Sequence, residues 1–151
     1  MLILSLRLVH FIFMAMWFGA SLFATRDVRT SIAAGPTAFP GLRDRMKRTS
    51  IASMISGPMV LLTGLGLIFA MGGFAAMPKA IHIALGLAIV MSVVGAVGVG
   101  GTWDKIDAQL TADATPEKLA PLVRRLAMFG GIFHGLWTAV LVLMVFRYVI
   151  G

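Results

Sequence analysis

The chain has 151 residues, 59% of them hydrophobic and 13% charged, with no cysteine and a formal net charge of +7. Soluble domains carry about a quarter charged residues, so this composition belongs in a bilayer, and the length fits one domain over 1–151. The missing cysteines exclude disulfides, thiolate metal sites and covalent haem attachment through C-x-x-C-H, so any metal or cofactor must rest on His, Met or oxygen ligands.

Four apolar spans are expected. The first runs over 2–24 and is interrupted only by Ser5, Arg7 and His10. Ser21-Leu22-Phe23-Ala24 resembles a small-residue cleavage site, but the run is long and holds His10 and Trp17, so it reads as a retained helix rather than a secretory signal. Residues 25–49 read as a basic loop with Arg26, Arg29, Arg43, Arg45, Lys47 and Arg48, turning at Gly35-Pro36 and Pro40-Gly41. The second span covers 50–75, with a kink expected at Pro58 and Ser56 and Gly57 beside it. A tight turn at Met77-Pro78-Lys79 leads to the third span, 79–101. Residues 102–120 are a polar connection with room for a short surface helix around Pro116 and Glu117. The fourth span is 122–150, with Arg124, Arg125 and Arg147 as anchors that snorkel to the interface. An all-α, integral membrane four-helix up-down bundle follows.

Charge orients the bundle. Ten basic residues (Arg26, Arg29, Arg43, Arg45, Lys47, Arg48, Lys105, Lys118, Arg124 and Arg125) fall on one side, against Arg7, Lys79 and Arg147 on the other. The ten-bearing side is expected to be cytoplasmic, which puts both termini on the outer, periplasmic side of a bacterial inner membrane. All six acids lie in or beside the two polar connections, and no basic stripe with interleaved aromatics occurs outside the spans, so nucleic acid is not an expected partner.

His10, His82 and His134 each sit in a different apolar span. An ionisable side chain inside a membrane is costly and marks a functional site by default. Counting about 1.5 Å per residue places His10 about 10 Å, His82 about 5 Å and His134 about 18 Å below the outer boundary. In an up-down bundle the first and third helices are diagonal partners, so His10 and His82 are the expected axial pair for the iron of a flat macrocycle. His134 is an alternative ligand, a ligand to a second group, or a relay; the expected cofactor is one haem b or two. Gly86, one turn below His82, and Gly131 and Gly135 around His134 would leave room for a porphyrin plane, with Gly64 and Gly66 at similar depth. The same G-x-x-x-G spacing serves close helix packing equally well. Arg7, one turn above His10, is placed to meet a propionate, as are Lys79 and Arg147, although snorkelling explains each of them as well. Trp17 and Trp137 share helix faces with His10 and His134 and are placed to shield a ring or simply to pack.

Leu8-Val9-His10 with Trp17-Phe18-Gly19, then Ser56-Gly57-Pro58-Met59 with Thr63-Gly64, then Ile81-His82-Ile83, together resemble the first three helices of the HemJ and copper-resistance D (CopD) group. That resemblance implies a four-helix membrane protein binding haem b, with His10 and His82 at the group's histidines, and for the HemJ branch oxidation of protoporphyrinogen IX. Ala84 stands where that branch has a lysine, and Phe133-His134-Gly135 replaces its Asn-Glu-x-Pro element. The haem scaffold is therefore carried over and the porphyrinogen chemistry is not.

The leading functional expectation is electron transfer or redox chemistry near the outer face, with a quinol or other small donor, by an oxidoreductase or a non-enzymatic cytochrome. Membrane lipid and a quinone or redox partner are the expected companions, in a monomer or a homo-oligomer. Copper handling is the alternative, since eleven Met and three His are soft ligands suited to Cu(I). Its weakness in the sequence is spacing: Met54 and Met59 are not one turn apart, and no Met-x-x-Met or Met-x-x-x-Met cluster faces a histidine. Ion-coupled transport ranks lowest because no acid lies within a span. An assembly factor without a cofactor leaves the histidines unexplained.

Overall fold

The computed structural model describes residues 1–112 and 115–150; Asp113, one of the six acids, lies outside them. All regular structure among the described residues is helical. Helix α1 (Leu2–Leu22) breaks at Phe23 and continues as α2 (Ala24–Ala34). A short turn at Pro36–Ala38 precedes α3 (Phe39–Ala70). Helix α4 (Lys79–Val93) widens into a π-helical stretch, Val94–Gly100, and runs on as α5 (Gly101–Thr111). Helix α6 (Pro116–Val145) and a last turn, α7 (Arg147–Ile150), complete the chain.

Joined end to end, these form four rods, Leu2–Ala34, Pro36–Ala70, Lys79–Thr111 and Pro116–Val145, each long and apolar enough to cross a membrane. Four such helices indicate a multi-pass membrane protein. Their outward faces agree: Leu8, Phe11, Leu62, Ile83, Val97 and Val145 are all exposed, which water would penalise and acyl chains would not. Neighbouring rods run antiparallel. Trp17 of α1 meets Gly57 of α3 while His10 meets Gly64, and Gly95 and Gly98 meet Phe133 and Phe129 of α6. The α1–α3 and α4–α6 hairpins then join along α1 and α6, where the Trp17 and Phe133 rings stand edge to face at 5.5 Å.

The rods have 30 to 35 residues. At about 1.5 Å per residue they exceed the roughly 30 Å of hydrocarbon by several turns. The excess lies at the polar end and has its own core. Val28, Leu42, Ile106, Leu119 and Leu126 are fully buried there, around Met46 and Trp103. Residues 25–49 and most of 102–120, which read as connections, are thus helices. Their charges masked an i, i+3/i+4 apolar stripe: Ala24, Val28 and Ile32; Leu42 and Met46; Trp103, Ile106 and Leu110. Arg45 grips both oxygens of Asp27 at 2.8 and 2.9 Å, and Arg43 pairs with Asp107 across to α5. Such half-exposed pairs contribute about 0–1 kcal/mol each, against about 1.5–3 kcal/mol for a fully buried Leu or Ile. Apolar burial, more than charge pairing, holds this end together.

At the other end α3 stops at Ala70, five residues short of the expected limit. Gly72 and Gly73 take positive φ (108° and 82°), which lets the Gly73 N–H reach the Ile68 carbonyl (2.9 Å) and the Gly72 N–H reach Phe69 (3.3 Å). This left-handed closure satisfies carbonyls that α3 would otherwise leave open, and it favours glycine. The chain then enters α4 at Lys79, as the Met77-Pro78-Lys79 turn implied. Helix α3 runs on through Pro58. Flanking hydroxyls turn inward to their own helix: Ser56 Oγ donates to the Ala52 carbonyl and Thr63 Oγ1 to that of Met59, both at 2.6 Å.

Candidate functional site

A cavity of about 500 Å³ opens among the rods at the end that holds the N-terminus and the α3–α4 turn. That volume is in the range of about 300–1,000 Å³ typical of small-molecule and cofactor sites. All four rods contribute, and the lining is apolar except for Arg7, His10 and Arg147. Next toward the middle, Met14, Trp17, Val60, Met91 and Phe133 close it with a packed layer.

His10 is 5% exposed and lines this cavity. Its Nδ1 lies 2.9 Å from Thr63 Oγ1, and that hydroxyl has already directed its one proton to the Met59 carbonyl. Thr63 can therefore only accept, so Nδ1 carries the hydrogen and donates it. In the neutral ring this leaves the lone pair on Nε2. An oxygen that fixes one ring nitrogen and orients the other is the usual support behind a metal-binding histidine. Gly64 completes the seat, because a Cβ there would stand 3.3 Å from His10 Cε1.

The structure does not bring the other two histidines to this place. His82 is exposed, in the first turn of α4; its Nδ1–H donates back to the Pro78 carbonyl (3.3 Å) and its ring lies near Phe74 (5.9 Å). It is not part of the cavity wall, whose α4 residues are Ile81, Ala84, Leu85 and Ala88. On α4 it is Ala84 and Ala88, with Ile81 and Leu85, that face the cavity, so His10 and His82 are not brought together there. His134 sits between α1 and α6. Its Nδ1–H donates to the Gly130 carbonyl (2.7 Å), its Nε2 is 3.4 Å from Ser21 Oγ, and Phe18 and Phe133 pack around the ring. It is half-buried on the α1–α6 seam, away from the cavity, and the Ser21 hydroxyl beside its Nε2 also lies 3.0 Å from the Phe18 carbonyl. No group of three or more His, Asp or Glu side chains able to hold a metal ion occurs among the described residues.

Arg7 lines the cavity, with its Nη2 3.7 Å from Met71 Sδ, and Arg147 joins it there while donating to the Met144 carbonyl (2.8 Å). Gly86, Gly131 and Gly135 do not line it; a Cβ at any of the three would meet nothing within 4 Å. The sequence reading missed Thr63 as partner to His10, and although it named the methionines as soft ligands it did not find which of them gather at a histidine. Met14, Met71, Met77 and Met144 all line the cavity with His10. They come from α1, the α3 terminus, the α3–α4 turn and α6, so no test of linear spacing could group them.

The fold and site together define a class: a four-rod membrane protein with an apolar cavity lined by a buried imidazole and two arginines. Comparison with family models, curated proteins and solved structures finds no match for the chain.

Proposed function

We propose that this chain is a b-type haem membrane protein in which the cavity holds one haem, with His10 as the axial ligand to iron. The observation that carries this reading is His10 itself, buried in an apolar cavity with Nδ1 committed to Thr63 and its lone pair on Nε2. Arg7 and Arg147 at the rim suit the propionates, because guanidinium pairs with carboxylate in a fixed fork geometry. Met71, Met77 and Met144 supply thioethers on the remaining walls, side chains that would also be able to hold the iron. A bound haem would supply a one-electron ferric/ferrous couple; the protein contributes the ligand, the apolar surround that tunes the potential, and exclusion of water. By the charge count the cavity faces the outer side of a bacterial inner membrane, with both termini there, close to a quinol or other donor dissolved in the bilayer.

The test is a reduced-minus-oxidised spectrum of purified protein with haem quantified per chain. About one haem per chain supports the proposal; a colourless preparation overturns it. Within that experiment, His82→Ala and His134→Ala are expected to retain the pigment, since neither side chain lines the cavity. Loss of the Soret band in His82→Ala would restore the two-histidine sandwich.

Copper(I) handling is the second reading, favoured by the four thioethers that share the cavity with His10. It predicts a colourless protein that retains copper after dialysis, and the same preparation decides between the two.

A further inference from the structure

A second concavity lies at the polar end, on the opposite half of the molecule from His10. It is a groove of about 550 Å³ where α1 breaks into α2 and both lie against α3. Its position along the chain is specific. Helix α1 has no charged residue after Arg7, whereas α2 opens with Arg26, Asp27 and Arg29 within its first six residues. The break at Phe23 is therefore where hydrocarbon gives way to the headgroup layer, and Phe23 itself is exposed there. The groove spans that boundary. Gly19 and Phe23 form its apolar part, and Arg26, Asp27, Arg45 and Thr49 its polar part.

The charges in the groove do not cancel. Both oxygens of Asp27 are taken by Arg45, whose Nη2 also donates to Ser31 Oγ (3.1 Å). Arg26 is exposed, and among the described residues no carboxylate lies within 4 Å of it. A cation beside hydroxyl groups at headgroup depth calls for an anion, and the strip beneath calls for an acyl chain. Gly19 keeps that strip open: a Cβ there would meet nothing within 4 Å. A soluble anion would have no use for the apolar floor, and a zwitterionic lipid would gain little from Arg26.

We propose that this groove is a binding site for one anionic phospholipid, its phosphate at Arg26 and one acyl chain along Gly19 and Phe23. The site is independent of what the outer cavity holds. A juxtamembrane Lys or Arg strengthens binding to anionic lipid about fivefold.

The test uses the whole protein, purified in an uncharged detergent and titrated with phosphatidylglycerol or phosphatidylcholine, with lipid retention read by native mass spectrometry and stability by thermal unfolding. Wild type is expected to keep one phosphatidylglycerol per chain, to be stabilised by it, and to show neither effect with phosphatidylcholine. Arg26→Gln should weaken retention about fivefold. Gly19→Leu should abolish it while leaving every charge in place. Arg48→Gln, at an exposed residue paired with Asp44 outside the groove, should change nothing. Equal retention of both lipids, or equal losses in Arg26→Gln and Arg48→Gln, would overturn the site. Stabilisation by glycerol phosphate alone would also overturn it, since that would make the groove a phosphate site.

Discussion

On the proposed haem reading, His10→Ala is expected to lose the pigment entirely, and to do so as a folded protein. The substitution deletes the one imidazole in the cavity and leaves its surroundings intact: Thr63 Oγ1 still donates to the Met59 carbonyl, so no polar group is orphaned. The truncation enlarges a space that is already a cavity, and what is lost is the ring's packing against Gly64 and Phe11. Free imidazole added to the variant should restore part of the Soret band, because the cavity walls and the rim arginines remain. Thr63→Val gives a graded counterpart. Valine keeps the volume but removes the oxygen that fixes the His10 tautomer, and loss of such a partner costs about 10–100-fold in ligand affinity. The expected order is wild type and His82→Ala coloured, Thr63→Val weakly coloured, His10→Ala colourless until imidazole is added. A wild-type spectrum from His10→Ala would remove His10 from the site.

How much of this can be read from residues alone differs from element to element. The four spans are legible because composition dominates them: a run such as 2–24 with one arginine and one histidine has no stable place in water. His10 is legible as well, since an imidazole deep in an apolar run needs a reason. Its partner is not. Thr63 is 53 residues away, and only the register of α1 on α3 puts the two side chains together. His82 shows the converse. Counting residues gives its depth, but depth does not fix rotation, and here α4 turns Ala80, Ala84 and Ala88 inward. At the polar end the charges obscure the stripes of Val28, Leu42 and Ile106 that make α2, α3 and α5 helical and buried. The glycines mislead for a similar reason. Gly131 and Gly135 form a visible G-x-x-x-G pair on an outward face, while Gly57, Gly64 and Gly98, which touch rings, lie outside that spacing.

That contrast sets the second large effect, at Gly98. A Cβ there would fall 2.6 and 2.7 Å from Cδ1 and Cγ of Phe129, the base of the ring rather than a flexible tip. The Arg125 guanidinium lies over the same ring, 5.4 Å from its centroid. Gly98 also lies in the π-helical stretch, and its carbonyl accepts the buried Thr102 hydroxyl, so the backbone cannot easily shift instead. Gly98→Ala is therefore expected to cost about 1–3 kcal/mol through overpacking, seen as a fall of several degrees in the unfolding midpoint of the detergent-solubilised protein. Gly86→Ala and Gly131→Ala meet nothing and should be neutral or stabilising by up to about 1 kcal/mol, since glycine is a poor helix former. The cause is separable from the loss of glycine as such: Phe129→Leu in the Gly98→Ala background should recover part of the stability, a coupling that a purely local backbone effect would not show. If Gly98→Ala unfolds where wild type does, the α4–α6 contact is looser than this packing requires. If Gly131→Ala falls as far as Gly98→Ala, a neighbouring helix covers that face and the protein is an oligomer in the membrane.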